Sequence, residues 1–166
     1  LYEALVARFG GPATAEELSQ RHFRLVCQLL EEYRVGPMPG LEEALSALRR
    51  RGIPFGVVSS SWRWYVERCL RELDMYEDAA VIVTGSDGLP LKPAPAPYQA
   101  AARVFRPAPP GAVLAVEDSG SGVRSAVAAG LACAAVYNPD SGAQDLSPAR
   151  WRLNSLYELP ALLDGN

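Results

Sequence analysis

The chain has 166 residues, 49% hydrophobic and 21% charged, with a formal net charge of −3. That composition fits one globular domain with a real core, or a domain plus a small accessory. It speaks against a nucleic-acid partner, which asks for a basic surface, and no apolar run is long enough to span a bilayer. Three isolated cysteines, Cys27, Cys69 and Cys133, sit in apolar periodic segments and read as buried thiols of a reducing, cytoplasmic compartment. The single histidine, His22, lies in a helical pattern and reads as a helix-surface residue rather than a zinc ligand.

The chain opens in helical register, with Leu1, Ala4, Leu5 and Phe9 on one face and Gly10-Gly11 as the stop. Thr14 and Glu17 form a capping-box pattern ahead of a long helix, whose face carries Leu18, Leu25, Val26, Leu29, Leu30 and Tyr33. Gly36-Pro37-Met38-Pro39-Gly40 breaks it and marks a boundary between residues 1–36 and 37–166. Leu41, Ala44, Leu45 and Leu48 make a short helix, and Ile53–Val58 reads as a strand closing in Ser59-Ser60-Ser61. A helix face comes next (Trp62, Tyr65, Val66, Cys69, Leu70, Leu73), then a strand over Ala80–Thr84 and a helix over Pro95–Phe105. The run Ala112–Glu117 is the third strand, Val123, Ala126 and Val127 begin the next helix, and Leu131–Tyr137 is the fourth strand. Trp151–Asn154 reads as a short fifth strand and Leu159–Leu163 as a closing helix. Strands alternating with helices imply an α/β fold with a Rossmann-like parallel sheet.

In such a sheet ligands gather beyond the carboxyl ends of the strands. Ser59 ends the first strand, Lys92 lies in the loop after the second, and Glu117 and Asp118 end the third. A hydroxyl, a lysine and paired carboxylates on one rim suit a phosphoryl group with Mg²⁺. Each residue also has a plainer reading: the serines as a helix cap, Lys92 as a solvated loop lysine, Asp118 or Ser119 as an N-cap. The joint occurrence, in order and each after a strand, favours the chemical reading. A dinucleotide site is the weaker alternative: Gly120-x-Gly122-x-x-Ser125 lacks the third glycine, and the two acids would repel a pyrophosphate. A phospho-receiver domain is disfavoured because its acids precede the hydroxyl and lysine.

Val57-Val58-Ser59-Ser60-Ser61, Lys92-Pro93-Ala94-Pro95 and Val116-Glu117-Asp118-Ser119, with Gly122 and Ala128-Ala129-Gly130 beyond them, resemble three ordered motifs of the haloacid dehalogenase superfamily, in its branch of phosphoglucomutase-like and sugar-phosphate phosphatases. The resemblance implies an α/β core with part of a helical cap in residues 1–36, hinged at Gly36–Gly40. It implies a Mg²⁺-dependent phosphomonoesterase acting on a small phosphorylated metabolite. Ser59 and Ser60 would bind the phosphoryl group, Lys92 would bind it and offset the nucleophile's charge, and Glu117 and Asp118 would hold Mg²⁺. Ser121 would orient the loop, with Trp62 and Arg63 near the substrate. The family places its nucleophile on an Asp-x-Asp motif at the end of a central strand ahead of the cap. This sequence contains no Asp-x-Asp. The first strand and half the cap are therefore expected upstream of Leu1, and the chain as given is expected to be inactive, to bind Mg²⁺ weakly and to carry a gap in its sheet. A phosphomutase, or a non-catalytic remnant of the fold, are the alternatives. The resemblance names neither a substrate nor an oligomeric state.

Overall fold

A computed structural model describes residues 2–32, 36–109 and 112–164. The chain divides into two compact units, Leu1–Pro37 and Met38–Asn166. In the first, α1 (Tyr2–Phe9) and α2 (Ala15–Glu32) pack on each other. The capping box forms as read: Glu17 N–H donates to Thr14 Oγ1 at 3.2 Å, and Thr14 N–H donates to Glu17 Oε2 at 2.8 Å. The Thr14 N–H and the Thr14 hydroxyl, both donating to Oε2, hold the Glu17 carboxyl below its usual range. His22 is an exposed residue of α2, and its Nδ1 is hydrogen-bonded to the Tyr2 hydroxyl of α1. Leu25 and Leu29, assigned to a packing face, are 53% and 40% exposed. Tyr33 lies outside the described residues.

The second unit runs α3 (Leu41–Arg51), β1 (Phe55–Val58), α4 (Arg63–Glu72), β2 (Ala79–Val83), α5 (Ala96–Ala102), β3 (Leu114–Glu117), α6 (Gly120–Ala128), β4 (Ala132–Val136), β5 (Trp151–Leu153) and α7 (Leu159–Asp164). Each element matches its sequence pattern, some trimmed at an end and others, as at Ala79, Gly120 and Asp164, reaching slightly further. The trimming has local causes. Gly52, at φ 62°, ends α3 in a left-handed turn in which Ile53 N–H bonds Leu48 O and Gly52 N–H bonds Arg49 O. Ile53 is thereby spent on the helix end, Pro54 has no N–H for a ladder, and β1 begins at Phe55. No helix among the described residues is long and apolar enough to cross a membrane.

All strand pairings are parallel, and β4 shows how the layers form. Cys133 and Ala135 face one side and pack with Tyr98, Val123 and Ala126 of α5 and α6. Ala134 and Val136 face the other and pack with Ala44, Leu156 and Leu159 around α3 and α7. The three cysteines form no disulfide. Burial pushes the Cys133 thiol up to about 11.

Among the described residues the sheet is not continuous. It consists of a pair, β2-β1, and a trio, β3-β4-β5. Neither edge-facing strand is packed as a central strand would be. All four residues of β1 are only half-buried, and Val116, in mid-β3, is 37% exposed, while four of the five residues of β4 are buried. Between β1 and β3 lies a cavity of about 1130 Å³, walled by both strands and roofed by Leu45, Leu48 and Leu159 on one side and Tyr98, Ala101 and Phe105 on the other.

Candidate active site at the strand ends

Parallel strands deliver the loops beyond them to one edge, and the mouth of the cavity lies there. Ser59, Ser60, Lys92, Glu117, Asp118, Ser119 and Ser121 all line it. Lys92 sits on the seam. Its Nζ donates to Val58 O, the last carbonyl of β1, at 2.8 Å and forms an ion pair with Glu117 Oε1, the last residue of β3. One ammonium therefore ties the carboxyl end of β1 to that of β3. The Lys92 side chain is 10% exposed and that of Glu117 7%, so the pair is buried. The loop carrying Lys92 is pinned from behind, where Ser125 Oγ in α6 donates to Ala94 O at 2.6 Å.

Glu117 is fully engaged. Tyr98 OH donates to the same Oε1 at 2.6 Å, and Ser119 Oγ donates to Oε2 at 3.0 Å. Burial and the adjoining Glu117 carboxylate push the Tyr98 phenol far above its usual range, which keeps it a donor. Gly122 is required by this arrangement: a Cβ there would collide with the Glu117 carboxylate. Ser119 caps α6 by accepting from Gly122 N–H at 3.0 Å, so the cap expected of this segment does form.

Asp118 belongs to a different network. Asn138 Nδ2 and Ser141 Oγ both donate to its Oδ2, at 2.8 and 3.1 Å. The adjacent acids thus diverge, as neighbouring residues at a strand end must, and no hydrogen-bond partner serves both. Among the described residues no three His, Cys, Asp or Glu side chains cluster as a metal cage. A site with one carboxylate suits Mg²⁺, which keeps waters and takes its further oxygens from a phosphate, better than it suits a metal held wholly by protein. Asp118 fits that role. Glu117 is the more committed of the two acids, since its Oε1 is taken by Lys92 and Tyr98 and its Oε2 accepts from Ser119.

Ser59 N–H bonds Val83 O at 2.9 Å, and its Oγ accepts from Ser61 N–H at 3.1 Å, which holds the turn open toward the cavity. Ser60 is exposed at that mouth. Gly85 passes so close behind that a Cβ would meet Ser60 O. Arg63 does not join the group. Its NH2 bonds Asp87 at 2.8 and 3.0 Å and Ile82 O at 3.2 Å, and its NH1 bonds Glu67 at 3.3 Å. The Asp87 bond holds the guanidinium above its usual range. Burial alone would raise the Asp87 carboxyl, but Arg63 and the Thr84 amide and hydroxyl outweigh it and pull it down. Trp62 is the N-cap residue of α4. Sequence reasoning missed Tyr98, Ser125, Asn138 and Ser141. Asn138 had a usable signal, since it too lies just past a parallel strand at the same edge.

The model of the haloacid dehalogenase-like hydrolase family matches residues 3–130. YhcW of Bacillus subtilis (strain 168), which bears a phosphatase name, is 32% identical over 165 residues, covering 98% of this chain and 74% of YhcW. The validoxylamine A 7′-phosphate phosphatase of Streptomyces hygroscopicus subsp. limoneus is 31% identical over 121 residues, covering 68% of this chain and 56% of that protein. Among solved structures, CbbY of Rhodobacter sphaeroides in complex with xylulose-(1,5)bisphosphate superposes with a TM-score of 0.80 at 26% identity, covering 90% of this chain and 67% of CbbY. The chain thus spans between about half and three quarters of the length of these relatives.

Proposed function

Because this chain belongs to the haloacid dehalogenase-like hydrolase family, we propose that it carries the phosphate and metal side of a Mg²⁺-dependent phosphomonoester hydrolase for a small phosphorylated sugar. The observation that carries this reading is the convergence of Ser59, Lys92 and Asp118 on one cavity mouth. The sugar-phosphate class is supported by the ligand named with CbbY and by the phosphatase names of the curated relatives.

In this reading Ser59 Oγ and the Ser60 N–H donate to the phosphoryl oxygens. Lys92, fixed by Val58 O and Glu117, supplies a positive charge at a set position. Asp118 would hold Mg²⁺, which supplies charge neutralisation of the phosphoryl oxygens when bound. Glu117 positions Lys92. Arg63 is assigned to the Asp87 network rather than to substrate. The nucleophile is assigned to an Asp on a further strand seated between β1 and β3. From there its carboxylate would attack phosphorus at the Ser59–Lys92 mouth as the P–O bond to the sugar breaks, the departing sugar oxygen taking a proton from a second Asp assigned to that strand, and water would then cleave the aspartyl-phosphate to phosphate and the free carboxylate. Residues 1–36 are assigned to a helical cap, and the cytoplasm to the protein's place of work, where the Cys27 and Cys133 thiols would stay reduced.

The test has a binding arm and an activity arm. Inorganic phosphate added with MgCl₂ to the ¹⁵N-labelled chain should move the amide resonances of Ser60, Ser61 and Ser119, and Lys92→Met should abolish the movement. The protein at its native length should release phosphate from a panel of sugar phosphates only with Mg²⁺. Phosphate binding that ignores Lys92 would remove the reading.

A further inference from the structure

We propose that Asn138 and the Pro139–Ser141 turn form a clamp that leaves Asp118 a single oxygen to present, and that this makes the site select Mg²⁺ over Ca²⁺. The inference rests on Asp118 as the metal ligand of the proposed function. β3 and β4 are adjacent, with Glu117 paired to Ala135, so the loops beyond them leave the same edge side by side. Asn138 and Ser141 both direct their donors to Asp118 Oδ2, which leaves Oδ1 facing away from the clamp's two bonds.

The clamp is itself fixed. Asn138 Oδ1 accepts from Asp140 N–H at 3.0 Å, which sets the amide so that its NH₂ faces Asp118. Ser141 N–H bonds Asn138 O at 3.2 Å and closes the turn. Gln144 then ties the loop to the start of α6: its Nε2 donates to Ser141 O at 2.8 Å, and its Oε1 accepts from Gly120 N–H at 3.0 Å. Two donors on one carboxylate oxygen occupy its lone pairs. Binding a cation through Oδ1 alone disturbs neither bond. Binding through both oxygens would take one of the two lone pairs of Oδ2 and so displace Asn138 or Ser141.

That difference falls unequally on the two cations. Mg²⁺ accepts one carboxylate oxygen in a small octahedron with water and phosphate, whereas Ca²⁺ takes more oxygens at longer distances and gains from bidentate carboxylates. The clamp therefore disfavours Ca²⁺ and leaves Mg²⁺ untouched.

The experiment titrates MgCl₂ and CaCl₂ separately into the ¹⁵N-labelled chain at constant ionic strength, reading the amides of Ser119 and Gly120. The expected result is an affinity ratio of Ca²⁺ to Mg²⁺ that rises about threefold in Ser141→Ala and about tenfold in Asn138→Ala/Ser141→Ala. Asp118→Asn should lose both metals. Ser141→Ala keeps the turn's backbone bond and the Asn138 acceptor, so it reads the clamp even where the double variant loosens the loop. An unchanged ratio with binding still lost in Asp118→Asn would overturn the clamp and leave the metal reading standing. Metal binding unaffected by Asp118→Asn, or no metal binding by the unaltered chain, would overturn the metal assignment and the clamp with it.

Discussion

Lys92 and Glu117, 25 residues apart in the chain, meet in a buried ion pair that closes the seam between the two sheets. Breaking such a pair from one side strands the other charge out of water, at about 3–5 kcal/mol. Glu117→Ala is therefore expected to lower the urea midpoint strongly, while Lys92→Met/Glu117→Leu recovers much of the loss. A double-mutant cycle in urea over Lys92→Met, Glu117→Leu and the double variant measures the coupling, and a double-variant loss equal to the sum of the two single losses would show the pair to be idle.

Gly122 should behave opposite to an ordinary helix glycine. Alanine in a helix interior usually gains about 0.5–1 kcal/mol over glycine. Here the added methyl meets the Glu117 carboxylate, so Gly122→Ala is expected to cost about 1–3 kcal/mol as overpacking. Gly88→Ala, in open space but at φ 70°, provides a strain-only comparison. Chemical denaturation of both reads the difference.

The Asp87 carboxyl, held below its ordinary value of 3.8, ties stability to pH. A depressed folded value means that its contribution is fully present above the unfolded value and is lost as pH falls through the folded one. The unaltered chain should lose more stability between pH 5 and acid, about pH 3, than Asp87→Asn does. Urea midpoints across that range measure it, and parallel curves would count against the Arg63–Asp87 network.

Cys133, 1% exposed with its thiol pushed up to about 11, should resist alkylation at neutral pH. Iodoacetamide is expected to label it only under unfolding conditions. Labelling of the folded chain, located by peptide mass, would place that thiol at the surface.

Removing the Ser59 hydroxyl should weaken phosphate binding by about 1.5–3 kcal/mol, one charged hydrogen bond among several. Phosphate titration of Ser59→Ala reads this directly, and an unchanged affinity would assign Ser59 to the turn alone.

Much of this arrangement was legible in the sequence, because strand and helix periods are local signals. Alternation of strands and helices predicted the parallel pairing, Ser59 and Asp118 stand out as polar residues just past apolar runs, and Lys92 stands out in its Lys-Pro-Ala-Pro loop. What escaped was tertiary. Nothing in the spacing of Tyr98 from Glu117 says that a helix residue will hand its hydroxyl to a strand end. Two adjacent acids look like a pair in one dimension, yet backbone alternation sends Glu117 to Lys92 and Asp118 to Asn138. Arg63 stood beside the serines in the chain, but α4 carries it to Asp87. A gap in the sheet was expected, and the described strands do divide into a pair and a trio, with the opening between β1 and β3.

The cleft between β1 and β3 gives the chain a thermodynamic handle. Any extended segment that settles there binds the folded state and not the unfolded one, so it raises stability by mass action. The melting temperature then becomes a property of the solution as much as of the chain. It climbs with the concentration of whatever completes the ladder, and a thermal scan against candidate strands becomes an affinity measurement that needs no knowledge of the reaction.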